Sequence, residues 1–171
     1  MRILVDADAC PVKEEVVRVA ARHAIEAVFV SNSWMRLPDD PVVSRVLVAD
    51  GPDAADDWIA CAAGPGDIVV TQDIPLAARA IAAGARAVSP TGKPFTDANI
   101  GMALAMRNLM QDRREAGTME SRNPPFTRKA RSEFLQVLER LVQAQRRGSR
   151  GPRRRSPALR QPPIRALALD R

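Results

Sequence analysis

Asp6 and Asp8 follow the apolar run Ile3-Leu4-Val5, Asp50, Asp53, Asp56 and Asp57 follow Val46-Leu47-Val48, and Asp73 follows Ile68-Val69-Val70. Carboxylates brought from separate segments to within about 4 to 6 Å repel one another and raise each other's pKa, a cost that a divalent cation cancels. Oxygen donors without an accompanying set of histidines and thiolates select magnesium or manganese over zinc. Aspartate also forms turns and caps helices for purely local reasons, and Asp50, Asp57 and Asp97 read best that way. Asp6 and Asp73 differ, because a charge directly after a buried apolar run has few routes to water.

For these residues to meet, the apolar runs must be neighbouring strands of one sheet. Ile3-Leu4-Val5, Ala27-Val28-Phe29-Val30, Val46-Leu47-Val48 and Ile68-Val69-Val70 read as buried strands, with a last short one around Ala87-Val88. Between them lie helical patterns. Pro11 suits the first position of a helix whose apolar face is Val12, Val16, Val19 and Ala20 and which ends near His23. Asp53 is placed to cap a second helix through Trp58, Ile59 and Cys61 to Gly64-Pro65-Gly66, and an alanine-rich helix follows Asp73-Ile74-Pro75 to about Ala83. Strands alternating with helices predict an α/β domain in three layers, α/β/α, with a mostly parallel sheet and right-handed crossovers. Loops at the carboxyl ends of such strands converge on one crevice, which is where the aspartates stand. Beyond Gly92 the pattern is helical only: one helix capped by Thr96, with Ile100, Met102, Leu104, Met106 and Leu109 as its apolar surface, and a final one with Phe134, Leu138, Leu141 and Val142.

Other reactive residues have simpler readings. Cys10 stands at a helix start, where the helix dipole lowers a thiol pKa, but His23 lies about 18 to 20 Å along the same helix, too far to be its base. Packing is the better reading of Cys10, and a helix-end surface position that of His23. Trp58 and the methionines at 102, 106 and 110 read as core, while Trp34, just past Ser31-Asn32-Ser33, is a candidate to line the crevice.

The net charge of +6 is concentrated in a tail. Residues 146 to 171 hold nine arginines against Asp170, which leaves residues 1 to 145 with a net charge of −2. We expect a domain at 1–146 and a disordered basic tail at 147–171, since Arg, Pro, Ser and Gly bury too little apolar surface to order a chain. No apolar run reaches the roughly 18 residues of a membrane span, and Asp6 and Asp8 interrupt any signal peptide, so a cytoplasmic protein with no membrane partner is expected. Two cysteines, Cys10 and Cys61, are too few for a disulfide framework. Oligomeric state is left open.

Val-Asp-Ala-Asp-Ala-Cys-Pro at 5–11, Gly-Pro-Asp-Ala-Ala-Asp at 51–56, Thr-Gln-Asp-Ile-Pro-Leu-Ala at 71–77, Pro-Thr-Gly at 90–92 and Met106-Arg107 together resemble the YaiI/YqxD family of bacterial proteins. The resemblance spans roughly residues 1 to 142 and leaves out the tail. That family is grouped with PIN-like domains, which as a superfamily are metal-dependent nucleases with acids at strand ends. The resemblance therefore implies a Mg2+ or Mn2+ nuclease or phosphodiesterase acting on RNA or DNA. Its catalytic set would be Asp6, Asp56 and Asp73, and Asp8 and Asp53 would complete the metal set. Lys13, Lys93 and Arg107 are the cations available to offset repulsion of a phosphodiester, with Lys13 and Arg107 expected to face the crevice. Two alternatives remain. A PIN-like module could hold metal or RNA without cleaving it. Strand followed by Asp-x-Asp also resembles the first motif of haloacid-dehalogenase phosphatases, although Lys93 falls after the later acids, out of that family's order.

Overall fold

The computed structural model describes residues 1–8, 10–49, 51, 53–115 and 126–148, with the side chains of 113–115 left aside. Within it β1 (Arg2–Asp6), β2 (Glu26–Ser31), β3 (Val43–Leu47), β4 (Ile68–Val70), β5 (Arg86–Val88) and β6 (Pro94–Phe95) form one sheet in the order β3-β2-β1-β4-β5-β6. The first five strands are parallel and β6 is antiparallel to β5. The helices are α1 (Lys13–His23), α2 (Ala54–Ala62), α3 (Ile74–Ala82), α4 (Asp97–Glu115) and α5 (Arg128–Gly148).

Period-two alternation divides the core between the two faces of the sheet. Ile3 and Val5 of β1 point with Phe29, Ile68 and Val70 to the side covered by α1 and α5, where Val16, Phe134, Leu138 and Val142 are fully buried. Leu4 points with Val28, Val30 and Val69 to the side covered by α2 and α3, against Ile59, Leu76 and Ala80. Each such side chain contributes about 1.5 to 3 kcal/mol by leaving water. The result is the expected three-layer α/β arrangement, with α4 joining α3, β5 and β6 in a small third cluster around Ala77, Ala87 and Phe95.

Several local expectations are corrected. Pro11 lies in a turn and α1 begins two residues later, at Lys13. β3 starts at Val43 rather than Val46 and is an edge strand, paired only with β2, so Leu47 is 58% exposed. The chain beyond Gly92 is not purely helical, because Ser89–Lys93 turns back into the two-residue strand β6, too short to show any period. Gly92 makes that turn at φ 85, where a side chain would meet the α5 backbone at Phe134 N within 3.0 Å. The α4 residues Met102, Met106 and Leu109 are 77%, 51% and 52% exposed, since only the Ile100 side of that helix meets the core. The expected tail boundary at 147 falls inside α5, and residues 149–171 lie outside the described residues.

Candidate functional site

Strand order reverses between β1 and β4: β2 and β3 extend the sheet to one side, β4 and β5 to the other. At such a switch point the connecting loops separate and leave a crevice at the carboxyl ends of the two strands. Asp6 is the last residue of β1, and Thr71-Gln72-Asp73 leaves β4 for α3. Asp53 precedes α2 and Asp56 lies in its first turn. Asp50 lies outside the described residues.

Hydrogen bonds fix part of this group. The buried Thr71 hydroxyl donates to Asp6 Oδ2 at 3.0 Å and accepts the Asp73 amide at 2.9 Å, so one side chain ties the two strand ends together. Asp73 Oδ1 accepts the Leu76 amide at 2.7 Å and caps α3, with Pro75 in the first turn. Asp8 Oδ2 accepts the Asn32 amide at 2.9 Å. Asp53 does not cap α2 as expected: it sits at φ 61, in the left-handed region that Asp tolerates better than most residues, and its carboxylate takes no cap hydrogen bond.

The electrostatics connect all five acids. Burial raises the Asp6 carboxyl, the Thr71 hydrogen bond partly offsets this, and Asp8 and Asp73 raise it further. Burial also raises Asp56, to about 6, aided by Asp73, Asp6 and Asp53 and opposed by Arg79. Among the described residues none of the five makes an ion pair; Arg79 is held at 2.8 Å by Asp57 instead. Asp57 is thus a link between α2 and α3, and Asp97 lies in the first turn of α4. Among the described residues no three His, Cys, Asp or Glu side chains converge closely enough, as they stand, to hold a metal ion.

Residues 4–144 match the model of a family described as "Uncharacterized BCR, YaiI/YqxD family". The chain belongs to this family. It is 57% identical over 145 residues to a UPF0178 protein of Parvibaculum lavamentivorans, covering 85% of this chain and 95% of that one. Identity is 50% over 149 residues to a UPF0178 protein of Rhodopseudomonas palustris, covering 87% and 96%. It is 49% over 146 residues to one of Gluconobacter oxydans, covering 85% and 83%. No solved structure matches the chain.

In this YaiI/YqxD member the remaining candidates are dispersed. Lys13 opens α1 on the carboxyl side of β1 and lines a cavity beside Cys10. Lys93 is exposed in the turn after β5, and Arg107 lies within α4 with its guanidinium on Asn108 Oδ1 at 3.4 Å. The charges acting on Asp6 and Asp56 are the neighbouring acids and Arg79, with Lys13, Lys93 and Arg107 not among them. Cys10 is buried and its thiol is pushed up to about 11, because desolvation outweighs the helix start and Lys13. His23 is held by Glu139 at 2.6 Å and Arg146 at 3.0 Å, both on α5. Trp34 is 70% exposed against Arg45 of β3, at 5.3 Å. No helix among the described residues is long and apolar enough to cross a membrane.

The residue missed by sequence reasoning is Asn32. Besides its amide on Asp8, its Nδ2 donates to Gly51 O at 3.1 Å, joining the β1 and β3 loops. That bond fixes the amide orientation and leaves Asn32 Oδ1 buried with no hydrogen-bond partner among the described residues. The rule that exposed the aspartates, inspection of the residues just after each strand, points equally to Asn32 after β2.

Proposed function

We propose that the chain is a PIN-like, magnesium- or manganese-dependent phosphodiesterase that cleaves RNA or DNA at the β1/β4 switch point. The observation that carries this reading is the un-neutralised charge there: five interacting carboxylates, two raised by burial and by one another, and no cation paired with any of them among the described residues. Folding tolerates such repulsion where a ligand relieves it. The donor chemistry fits a hard cation, and Asn32, whose backbone amide meets Asp8, has a buried Oδ1 without a partner among the described residues, a further neutral oxygen donor. The site would be held by Asp6, Asp56 and Asp73, with Asp8 and Asp53 supporting, and the side chains would have to close up to do so.

When bound, the cation supplies Lewis-acid polarisation of a phosphoryl oxygen and a lowered pKa for the attacking water. The chain's own residues prepare for this. Thr71 holds Asp6 Oδ2, and the Leu76 amide holds Asp73 Oδ1, so two of the three carboxylates are oriented in advance. Asp56, at about 6, keeps a proton in acid and sheds it toward neutrality, so cation affinity falls as pH drops through that value. Lys13, Lys93 and Arg107 would meet phosphates of the strand at a distance from the acids, since none of the three acts on Asp6 or Asp56.

The test is titration calorimetry with manganese and magnesium on wild type and on Asp6→Asn/Asp73→Asn, with cleavage of a mixed single-stranded RNA assayed in the same buffers. Binding and cleavage that both vanish in the variant support the reading. Binding without cleavage by the wild type would favour a non-catalytic metal- or RNA-holding module, the reading to which the unconverged donors lend some weight. Absence of binding would return the aspartates to turns and caps.

A further inference from the structure

An open cavity of about 570 Å³, with none of the five aspartates in its lining, lies between the start of α1, the segment after β2 and the α5 residue Arg131. Its size suits a nucleotide, since small-ligand pockets run from about 300 to 1,000 Å³. Three of its lining residues are cations, Lys13, Arg36 and Arg131, against the two carboxylates of Glu14 and Glu15.

The charges do not cancel evenly. Arg131 donates to both Glu15 oxygens at 3.1 and 3.2 Å and to Pro11 O at 2.9 Å, and its guanidinium lies 5.2 Å from the Phe126 ring. Glu15 is thereby neutralised and Arg131 immobilised in the wall. Lys13 and Arg36 make no ion pair among the described residues, so the cavity keeps two uncommitted cations against the exposed Glu14. Pro11, Leu37 and Pro38 supply apolar surface between them. No side chain among the described residues caps the first turn of α1, which opens at the same place.

We infer that this cavity binds one nucleoside phosphate, with Lys13 and Arg36 on the phosphate and Pro11, Leu37 and Pro38 against the sugar and base. Two unpaired cations select an anion, and the apolar walls favour a nucleoside phosphate over inorganic phosphate. The ligand is either a free mononucleotide or one unit of a strand lying across the aspartates. Only the second source rests on the phosphodiesterase reading. Arg36 is then a specificity-determining residue that no short motif announces.

The experiment is calorimetry in EDTA, so that no divalent cation takes part. AMP, adenosine, inorganic phosphate and a 5′-phosphorylated tetranucleotide are titrated into wild type, Arg36→Ala, Arg36→Lys and Arg45→Ala. AMP is expected to bind more tightly than phosphate and adenosine, with Arg36→Ala weakening it tenfold or more, Arg36→Lys recovering part, and Arg45→Ala, an exposed cation outside the cavity, leaving it intact. Arg36 is exposed and makes no ion pair among the described residues, so its variants should fold. A tetranucleotide that binds at least tenfold tighter than AMP and shares the Arg36 dependence identifies a strand; equal or weaker binding identifies a free nucleotide. Wild type that binds neither AMP nor the tetranucleotide, or binding unchanged in Arg36→Ala, overturns the inference. Because cleavage is never read out, failure of the phosphodiesterase reading leaves this result standing, and failure here leaves the metal titration standing.

Discussion

Asp67 and Asp6 occupy opposite ends of the same pair of strands and are treated in opposite ways. Asp67, just before β4, is buried, accepts the Arg2 amide at 2.9 Å and meets the Arg2 guanidinium at 2.8 Å. The same guanidinium donates to Ala62 O at 2.8 Å, so it is held from two sides. At the other end of β1, four residues on, Asp6 faces Asp8 and Asp73 and among the described residues has a neutral hydroxyl for support. Glu15 on α1, beneath α5, and Glu139 on α5 itself also have basic partners, Arg131 and Arg22 respectively. Among the described residues the buried acids Asp67 and Glu15 each have a cation partner, whereas the five acids at the switch point make no ion pair. That contrast separates acids that hold the structure together from acids whose cost the structure carries.

The sharpest way to break the contrast is to remove the cation from the neutralised end. Arg2→Ala leaves the buried Asp67 only the residue-2 amide and the Met1 amino group at 4.0 Å, and should cost about 3 kcal/mol, the low end for breaking a buried pair because Arg2 is partly exposed and those two partners remain. Urea unfolding would measure it. A cost near zero would show that Asp67 finds water or another partner and is no better served than Asp6.

At the carboxyl end the effects should run the other way. If the crevice takes a divalent cation, manganese at 100 times its dissociation constant should stabilise the native protein by about 2.7 kcal/mol in a thermal melt. The same manganese should leave Asp6→Asn/Asp73→Asn unmoved. Equal shifts in both proteins would place the cation elsewhere. Thr71→Val should cost about 2 kcal/mol, because the Asp73 amide loses its acceptor and Asp6 its donor. Thr71→Ser keeps both bonds and should recover most of that loss. If valine is tolerated as well as serine, the hydroxyl is not what joins the two strand ends.

The neutralised and un-neutralised ends were not equally legible in the sequence. Ile3-Leu4-Val5 and Ile68-Val69-Val70 are short, β-branched and bounded by polar residues, so β1 and β4 stand out, and the acids after them follow from one rule about parallel sheets. β3 was misplaced because Val43-Ser44-Arg45-Val46-Leu47 is an edge strand whose exposed side carries no apolar period. Asp53 was misjudged because an αL residue before a helix looks, in sequence, like any capping aspartate. The partners of Asp67 and Glu15 stand 65 and 116 residues away, and no local pattern encodes a contact at that separation. Arg36 in the cavity wall is hidden for the same reason. The exposed side of α4 misled in the opposite sense: its Met and Leu residues have the spacing of a buried face, yet the neighbours needed to bury it are absent among the described residues.

The smallest effect bears most directly on the cost at the switch point. The Asp56 carboxyl rises from 3.8 to about 6 on folding, so between those values the native state binds more protons than the unfolded one. Stability contributed by this group is therefore present at low pH and lost as pH rises through about 6. At pH 7 the charged form is a liability, which Asp56→Asn removes. Asp56 is only partly buried, so with solvent screening discounted the gain should be about 1 kcal/mol, or a melting temperature higher by roughly 2 to 4 °C. The gain should shrink as pH falls below about 6 and be gone near 4, where wild type and variant are both neutral at this position. Melts at pH 7 and at pH 4.5 in EDTA test the sign as well as the size. A variant less stable than wild type at pH 7 would mean that the Asp56 carboxylate already has a favourable partner, and the crevice would then be as well neutralised as the Arg2–Asp67 end.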